Sequence, residues 1–519
     1  MKGDFSRISF DATKHFSRVL LQQGRVTLDA DPNESVEILL HYVRTLARDL
    51  IGPFGGPPDN LGFQLSLDTT DPARPSLHIG AGRYYVDGIL VENDADVDYA
   101  AQPHFTPGDD DPLLQRLATG EEGDDFWLYL DVWERHVSWI EDDSIRESAL
   151  GGPDTCTRTQ VVWQVRALAR RTLLDTLVGE RDQIVARLQD PALPDDERAA
   201  LEARRDRLVQ DIQRLSQDNG QPGNDCSAPL DVQPLSDALM AARVDPGPGI
   251  KDPCTIAPDA LYRGMENQLY RVEVHRSSAP GVAATFKWSR DNGSIAARWI
   301  ATEGYDLVVS SGRGFGAGCW VELGEDGAEL QGRPGVLARV VKVDGDRLSI
   351  DPASVPAGQA LVFANGALNP KVRRWDQSDN DDVTLDDGAV PIQEASATDP
   401  AWITLEDGVQ VQFQPGGHYR SGDYWLIPAR VATGSIEWPR TFLADGSMQW
   451  TALPPRGIVH RWAPLGFLGR NADGRLGVAA ACLCELLPIN SCARLLRNNA
   501  LPRPLAQASR AKASPAKRK

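Results

Sequence analysis

Cysteine is scarce in this chain, with seven residues among 519. An odd number spread over such a length does not match the disulfide framework that small secreted domains use in place of a large core. We therefore expect reduced thiols. Cys482, Cys484 and Cys492 lie close together in sequence, but no histidine accompanies them and their neighbours are mostly apolar. This pattern favours buried structural cysteines over a zinc site.

Long hydrophobic runs are missing as well, since no stretch approaches the ~20 apolar residues needed to cross a bilayer. Residues 1–10 mix charged and polar side chains where a secretory signal would carry an apolar segment. We therefore predict no membrane insertion and no Sec-type export, with synthesis and assembly in the cytoplasm.

Positive charge is the minority: 54 lysines and arginines against 73 acidic residues give a formal net charge of −19. Nucleic-acid binding needs clustered cations that release counterions from phosphates, so nucleic acid is not an expected partner. Only the end of the chain differs, because Arg510, Lys512 and Lys517 to Lys519 lie there among Ala, Ser and Pro. Residues 501–519 are predicted to be a disordered basic tail.

Recognisable catalytic motifs are absent too. No histidines have His-Glu-x-x-His spacing, and there is no Gly-x-Ser-x-Gly turn for a nucleophilic serine. The glycine-rich run from Ser311 to Gly318 lacks the Gly-Lys-Ser/Thr ending of a phosphate-binding loop. We assign no catalytic or cofactor-binding residue and do not expect an enzyme. A pair of carboxylates for glycoside hydrolysis stays open, because 73 acidic residues always supply some pair at a suitable separation.

One acidic segment imitates a calcium loop through alternating oxygen ligands, namely Asp376, Ser378, Asn380 and Asp382. Asp381 stands where the sharp turn of such a loop requires glycine, and Asp387 stands where a bidentate glutamate is usual. A solvated acidic loop is therefore the favoured interpretation, and no metal is expected.

The start of the chain carries a clear helix. Asp31-Pro32-Asn33-Glu34 predicts an N-cap, a proline in the first turn and a capping box. Apolar residues then recur at helical spacing up to Leu50, and Gly52-Pro53 ends the helix. We expect this amphipathic helix, residues 32–50, to pack on the following β-segment, which carries a hairpin turning at Asp87-Gly88. Residues 1–104 are predicted to form an α+β docking unit.

The remainder reads as mainly β, with several sandwich or small-barrel modules. We predict a β-domain over 105–300, a small barrel or sandwich over 301–370 and a C-terminal β-region over 371–500. An antiparallel helical hairpin at about 170–217 interrupts the first of these, with Leu201, Leu208 and Leu215 at heptad spacing. Residues 218–253 are rich in Gly, Pro and Asp and are predicted to be a loop.

Two features leave alternatives open. The hairpin is either a solvated spacer or an arm that contacts a neighbouring subunit, and the sequence favours neither. The thirteen tryptophans suggest glycan stacking or an interface if they are exposed. Because Trp127, Trp133, Trp163, Trp288 and Trp425 lie in strand-like runs, packing inside β-cores is the better explanation.

Several segments carry a resemblance to a known family. They are the opening block, made of Met1 to Arg7 and His15 to Glu34, then Glu266 to His275, Thr285 to Ser294, Tyr419 to Gly434 with Glu437 to Pro439, and Pro455 to His460 leading to Ala463 to Leu465. With them, most of residues 1–465 resembles the DUF6519 family, whose genes occur beside those of extracellular, phage-tail-like contractile injection systems. The resemblance implies a structural part at or near the baseplate or spike, and it brings no catalytic residue.

The same resemblance implies baseplate, spike, sheath or tube proteins as partners, with several copies of the chain in each particle. If the particle is released, the chain leaves the cell with it. The alternative function is a glycan-binding or glycan-cleaving tail appendage, motivated by the tryptophans and the β-modules. A cargo effector is a weaker third possibility, because no toxin-like active site is visible.

Overall fold

A computed structural model describes residues 1–71, 75–105, 107–108, 110–119, 125–152, 154–189, 193, 195–217, 226, 236–245, 261–279, 282–379, 383–396, 398–442, 448–470 and 476–486. Over these residues the protein is mainly β and multi-domain, with a small barrel and a helical hairpin, as the sequence predicted. None of the described helices is both long and apolar enough to cross a membrane.

The described helices are α1 Ala30–Ile51, α2 Pro112–Thr119, α3 Arg170–Arg187, α4 Asp195–Gln217 and α5 Asp326–Leu330. The strands, in chain order, are β1 Phe54–Gly55, β2 Leu65–Asp68, β3 Ser76–Ile79, β4 Gly82–Val86, β5 Ile89–Asn93, β6 Val97–Asp98, β7 Phe126–Val137, β8 Arg158–Ala169, β9 Met240–Val244, β10 Gln268–Arg276, β11 Thr285–Ser289, β12 Ala296–Glu303, β13 Asp306–Val309, β14 Trp320–Gly324, β15 Val336–Asp344, β16 Arg347–Ile350, β17 Lys371–Trp375, β18 Val390–Pro391, β19 Ile403–Thr404, β20 Val409–Phe413, β21 Tyr424–Arg430, β22 Ser435–Ile436, β23 Arg440–Phe442, β24 Met448–Trp450, β25 Arg461–Arg470 and β26 Leu476–Ala481.

The first hydrophobic core joins segments that are far apart in sequence. Strands β26, β25, β7 and β8 form one antiparallel sheet, and two small sheets, β1-β4-β5 and β2-β3-β6, pack with it. Phe63, Tyr84, Leu128, Val165 and Leu465 are all buried in this shared core. This core crosses the boundary predicted at residue 104, because each small sheet has an apolar face that residues beyond 104 cover.

The second core lies between the sheets β18-β11-β10-β21-β22 and β19-β20-β9. Strands from 240–289 pair here with strands from 390–436, so the boundaries predicted at 300 and 371 do not separate independent units. Strand β9, Met240–Val244, lies inside the range 218–253 that was predicted to be a loop, so that prediction is wrong for these residues. It pairs with β20 along its whole length, with Val244 opposite Val409.

Between these two cores a closed barrel forms from β12, β13, β16, β15, β14 and β17. Leu307, Val321, Leu348 and Val372 fill its interior and are fully buried. It runs from Ala296 to Trp375, so it extends five residues beyond each end of the module predicted over 301–370. Helix α5 follows β14 directly, with Glu325 accepting from the N–H groups of Gly327 and Ala328 as its cap.

The helical hairpin consists of α3 and α4, which follow directly after β8. Leu173, Leu177, Ile184 and Leu208 form its buried seam, and this seam rests on Trp127 and Phe467. An ion pair between Glu180 and Arg204 at 2.9 Å joins the two helices on the outside. The apolar seams read from the sequence therefore hold the pair together and fix its base to the first core.

Helix α1 begins two residues before its predicted start and without the predicted capping box. The carboxylate of Asp29 accepts from the backbone N–H of Ser6 at 2.9 Å, and that of Asp31 accepts from the N–H of Leu28 at 3.0 Å. Glu34 accepts from the hydroxyl of Ser9 at 2.5 Å. These carboxylates fix the chain that precedes the helix rather than capping the helix itself.

A disulfide joins Cys226 to Cys482, with 5.7 Å between their Cα atoms. This corrects the expectation of reduced thiols for these two residues. They are 256 residues apart, so no local spacing could have indicated the pair. Cys484 is free and exposed. Cys492 and the basic tail over 501–519 lie outside the described residues.

Candidate functional site

The most unusual surface of the protein is the outer face of α1. The stripe consists of five apolar side chains, Val36, Leu39, Val43, Leu46 and Leu50, each between 53% and 62% exposed. The helix contacts the following β-segment at β1 and Gly88, as the sequence predicted, but the prediction that this apolar face makes the contact is wrong. The reason lies in the contacts that the other side of the helix makes.

The side of α1 that faces the body is held largely by polar contacts. Arg44 donates two hydrogen bonds to the carboxylate of Glu134 on β7, at 2.9 and 2.7 Å. Arg48 pairs with Asp87 at 3.0 Å. Gly88 approaches the helix so closely that a Cβ there would overlap the carbonyl oxygen of Arg44. The helix is therefore fixed with its apolar stripe toward solvent.

Removing the anchor should loosen α1 without unfolding the protein. We expect Arg44→Ala to raise amide hydrogen exchange in residues 34–51 and to cost about 1 kcal/mol or less, because the pair with Glu134 is partly exposed. Exchange measured by mass spectrometry checks this, with Thr45→Ala on the exposed side as the matched control. Equal exchange in both variants would contradict the anchoring role.

The segment before α1 continues the exposed apolar surface. We call residues 12–28 the arm. Its side chains Phe16, Leu20, Leu21, Val26 and Leu28 are between 45% and 85% exposed. The arm belongs to none of the described strands; its backbone makes a short 3-10 turn at Ala12–Lys14, with the N–H of His15 donating to the carbonyl of Ala12, and a second turn from Gln22 to Arg25. Together, the arm and the stripe form the arm–helix surface.

Residues before the arm cross to the second core instead of joining the unit predicted over 1–104. Lys2 pairs with Glu273 at 3.1 Å, and Asn292 donates to the carbonyl of Gly3 at 2.9 Å. Phe5 and Ile8 pack on the outer side of strands β10 and β21. The arm is thus anchored at both ends, by the second core before it and by α1 after it.

A cluster of three carboxylates lies where the barrel meets β7. Oxygen atoms of Glu141, Asp326 and Glu329 come within 4.8 Å of one another, a spacing suited to a cation. The ammonium of Lys371 takes that position, at 2.7, 2.9 and 2.7 Å from the three carboxylates. Arg135 adds a further positive charge 2.6 Å from Asp326. The chain's own cations therefore occupy the position that a metal would take and offset most of the negative charge of the cluster.

The pKa directions agree with this arrangement. Burial raises the pKa of Glu141, but the charge and hydrogen bond of Lys371 and the hydrogen bonds from Ser138 together outweigh burial and lower that pKa to about 2. Burial lowers the pKa of Lys371, and the surrounding carboxylates, Glu329 first among them, raise it overall. Both groups stay charged at neutral pH, so this cluster is suited to holding the barrel on β7 rather than to exchanging protons.

A second buried cluster lines a cavity of about 320 Å³ between β10, β11 and the barrel. Glu273 contacts Arg271 at 2.5 Å and Lys287 at 3.3 Å, and Lys287 also pairs with Glu322 at 2.5 Å. Trp375 donates its indole N–H to Glu322 at 2.9 Å. Every charge in this group has an opposite partner, which is the pattern of a structural network.

The calcium candidates are only partly described. The carboxylate of Asp376 accepts from the N–H of Arg290 at 2.9 Å and contacts Arg374 at 3.2 Å. Ser378 is exposed. Asn380 and Asp382 lie outside the described residues. The one candidate carboxylate that the structure describes is therefore engaged with arginines.

All thirteen tryptophans lie within the described residues. Nine are buried, including Trp127, Trp133, Trp163, Trp288 and Trp425, and the other four are half-buried. The prediction of β-core packing is confirmed for the five residues on which it was made.

The sequence showed the apolar periodicity of the stripe on α1, but the prediction placed the stripe in the core. The polar residues that lie between the apolar ones were the sequence signal for an exposed helix face, and the prediction did not use it.

Comparison with known proteins gives one full-length match. The model of a family of unknown function, DUF6519, matches residues 1–518. Among curated proteins no significant match exists. A solved structure titled "Crystal structure of TssK" aligns with 10% identity over 76% of this chain and 98% of that chain, at a TM-score of 0.15. At that score the two backbones do not share a superposable fold, so nothing about this chain follows from the likeness.

Proposed function

Because the chain belongs to the DUF6519 family, we propose that it is a non-catalytic structural component of a phage-tail-like contractile injection system, at or near the baseplate or spike. The choice of a contractile injection system as the particle rests on the family resemblance of the opening block and the four later segments. Baseplate, spike, sheath or tube proteins are its partners, and each particle contains several copies.

The observation that carries the assembly role is the arm–helix surface. Ten apolar side chains from Phe16 to Leu50 are about half exposed or more on a chain whose cores are otherwise well filled. The stripe is contiguous because its side chains are neighbours at three- and four-residue spacing, and contiguous apolar surface is rare on monomeric proteins and marks sites that another molecule covers. The anchoring of α1 by Arg44 supports the same reading, because a rigid surface loses little entropy on association.

The two buried charge clusters support a structural role over a catalytic one. Their carboxylates are held by Lys371, Arg271 and Lys287 rather than left free to act on a ligand. The buried tryptophans remove the observation that motivated the glycan-binding alternative.

Particles purified with and without the gene test the proposal. We expect the full-length chain to copurify with the particle and to occupy defined density in a particle map. Particles from the deletion strain should lack that density and assemble or fire poorly. Intact, normally firing particles with no missing density would overturn the proposal, as would absence of the protein from wild-type particles.

An assay on the isolated protein tests the alternatives. A glycan array and a hydrolase assay should both be silent for an assembly component. Specific glycan binding or turnover would favour the tail appendage. Protein found inside the particle rather than on its exterior would favour the cargo effector.

A further inference from the structure

The stripe on α1 has the spacing of a coiled-coil seam. Val36, Leu39, Val43, Leu46 and Leu50 follow one another at intervals of three, four, three and four residues. These are the a and d positions of a heptad repeat, with valine at the first two a positions and leucine at both d positions. A β-branched residue at a with leucine at d favours two parallel strands.

The flanks of the stripe carry no charge that would repel an identical helix. In a parallel pair, each g position faces the e position of the next heptad in the other helix. Here Ser35 would face Leu40, and Tyr42 would face Ala47. The charged residues Glu37, Arg44 and Arg48 lie outside the seam, and Arg44 and Arg48 are already paired with the body. Asp49 takes the last g position, and the e position that it would face is Phe54, which lies beyond the end of α1. A chain of net charge −19 thus presents a neutral seam at this place.

We propose that the stripe is covered by a second copy of this chain, through a parallel, in-register, two-stranded coiled coil of the two α1 helices. The proposal rests on the assembly role above only in treating the arm–helix surface as an interface, and it does not depend on the kind of particle. The two-fold arrangement lets one seam serve both copies, since an isologous contact needs only self-complementarity.

The area available fits a stable pair. Each stripe side chain exposes roughly 90 Å² and each apolar side chain of the arm slightly more, so the arm–helix surface offers about 1,000 Å² per copy. The stripe alone supplies about 450 Å² per copy, or about 900 Å² over two copies, so the roughly 1,200 Å² of a specific stable interface is reached only when arm side chains join the contact. Because α1 is already folded on the body, pairing does not have to nucleate the helix.

A membrane is the less suitable occupant. Helices that lie in a bilayer surface carry a wide apolar face and many Lys or Arg residues on the polar side. The stripe has two apolar positions per heptad, and the acidic chain is repelled by anionic lipid. The regular a and d repeat is instead the feature that a matching helix recognises.

Sedimentation velocity of the full-length chain tests the pairing. We expect wild-type protein at micromolar concentration to sediment as a dimer of the 56.7 kDa chain. A Leu39→Glu, Leu46→Glu variant should be monomeric with unchanged circular dichroism, because both side chains are exposed in the single chain. Leu150→Glu, at an equally exposed leucine elsewhere, is the matched control and should remain dimeric. A monomeric wild-type chain, or a dimeric double variant, would overturn the proposal.

Disulfide trapping tests the register. Free, exposed Cys156 and Cys484 are first replaced by serine to remove background cross-links. In that background Val36→Cys should give a covalent dimer on mild oxidation, because equivalent a positions face each other only in a parallel, in-register pair. Thr45→Cys, on the exposed side away from the seam, should not. Failure of Val36→Cys to cross-link, or equal cross-linking by Thr45→Cys, would overturn the arrangement.

The two proposals fail separately. A dimer in solution that is absent from particles would keep the α1 pairing and remove the proposed function. A chain that is monomeric in solution but occupies density in the particle, with its stripe against a different protein, would keep the proposed function and remove the α1 pairing.

Discussion

Replacing Lys371 by methionine is expected to lower the free energy of unfolding by about 3–5 kcal/mol. The ammonium of Lys371 contacts Glu141, Asp326 and Glu329 at once, and the lysine side chain is only 2% exposed. Methionine keeps most of the volume but leaves three carboxylates facing one another with less positive charge. Urea unfolding followed by tryptophan fluorescence measures the loss.

Two further variants make the test specific. Lys342→Met, at an exposed lysine of the same barrel that pairs with Asp344 at 3.0 Å, should change stability by no more than about 0.5 kcal/mol. Adding Glu329→Gln to the Lys371→Met variant should recover part of the loss, because it removes one of the uncompensated charges. A loss below about 1 kcal/mol in Lys371→Met would show that the cluster contributes little to holding the barrel.

Lowering the pH from 7 to 5 is expected to cost about 4 kcal/mol of stability through two histidines. Burial, with help from nearby positive charges, lowers the pKa of His136 to about 3. Burial and Lys287 lower the pKa of His275 to about 4. His136 Nε2 and His275 Nδ1 are also buried without a hydrogen-bond partner among the described residues.

The direction follows from where the protons bind. Both rings stay neutral in the folded chain, whereas in the unfolded chain they take up protons below a pKa of about 6.5. The stability that the two neutral rings contribute is therefore fully present above that pH. It falls as the pH drops toward 4, and the loss is about 2 kcal/mol for each ring at pH 5. The stability that ionised Glu141 contributes is lost only below the ordinary pKa of a glutamate, because the pKa of Glu141 in the folded chain is about 2. The histidine effect and the Glu141 effect therefore fall in different pH ranges.

A double variant separates the histidines from other acid effects. His136→Gln with His275→Gln should remove this loss, so that the urea midpoint falls less steeply between pH 7 and 5 than in the wild-type chain, while the decline at lower pH remains. If the double variant keeps the wild-type slope in that range, the two rings are not its cause.

The elements that sequence predicted well are those whose signal is local. The turn at Asp87-Gly88 joins β4 to β5 as expected, with Asp87 and Gly88 both at positive φ. The leucine and isoleucine periodicity of 170–217 gave two helices and their seam. In each case the residues that make the structure are neighbours along the chain, so their pattern is visible without the fold.

The errors concern contacts between distant residues. The cores cross the predicted domain boundaries because β7 pairs with β25, and β10 with β21, from segments far apart in the chain. The pair Cys226 and Cys482 and the cluster around Lys371 are likewise assembled from separate segments. No spacing rule in a single sequence reports such pairings.

The sequence by itself determined that Val36 to Leu50 form a helix with one apolar stripe, because helix periodicity is a property of neighbouring residues. It also supplied the family resemblance on which the proposed function rests. Only the tertiary structure decided which way the stripe faces. Glu134 and Asp87 come from other segments of the chain, and they hold the polar side of α1 against the body and leave the stripe for another molecule.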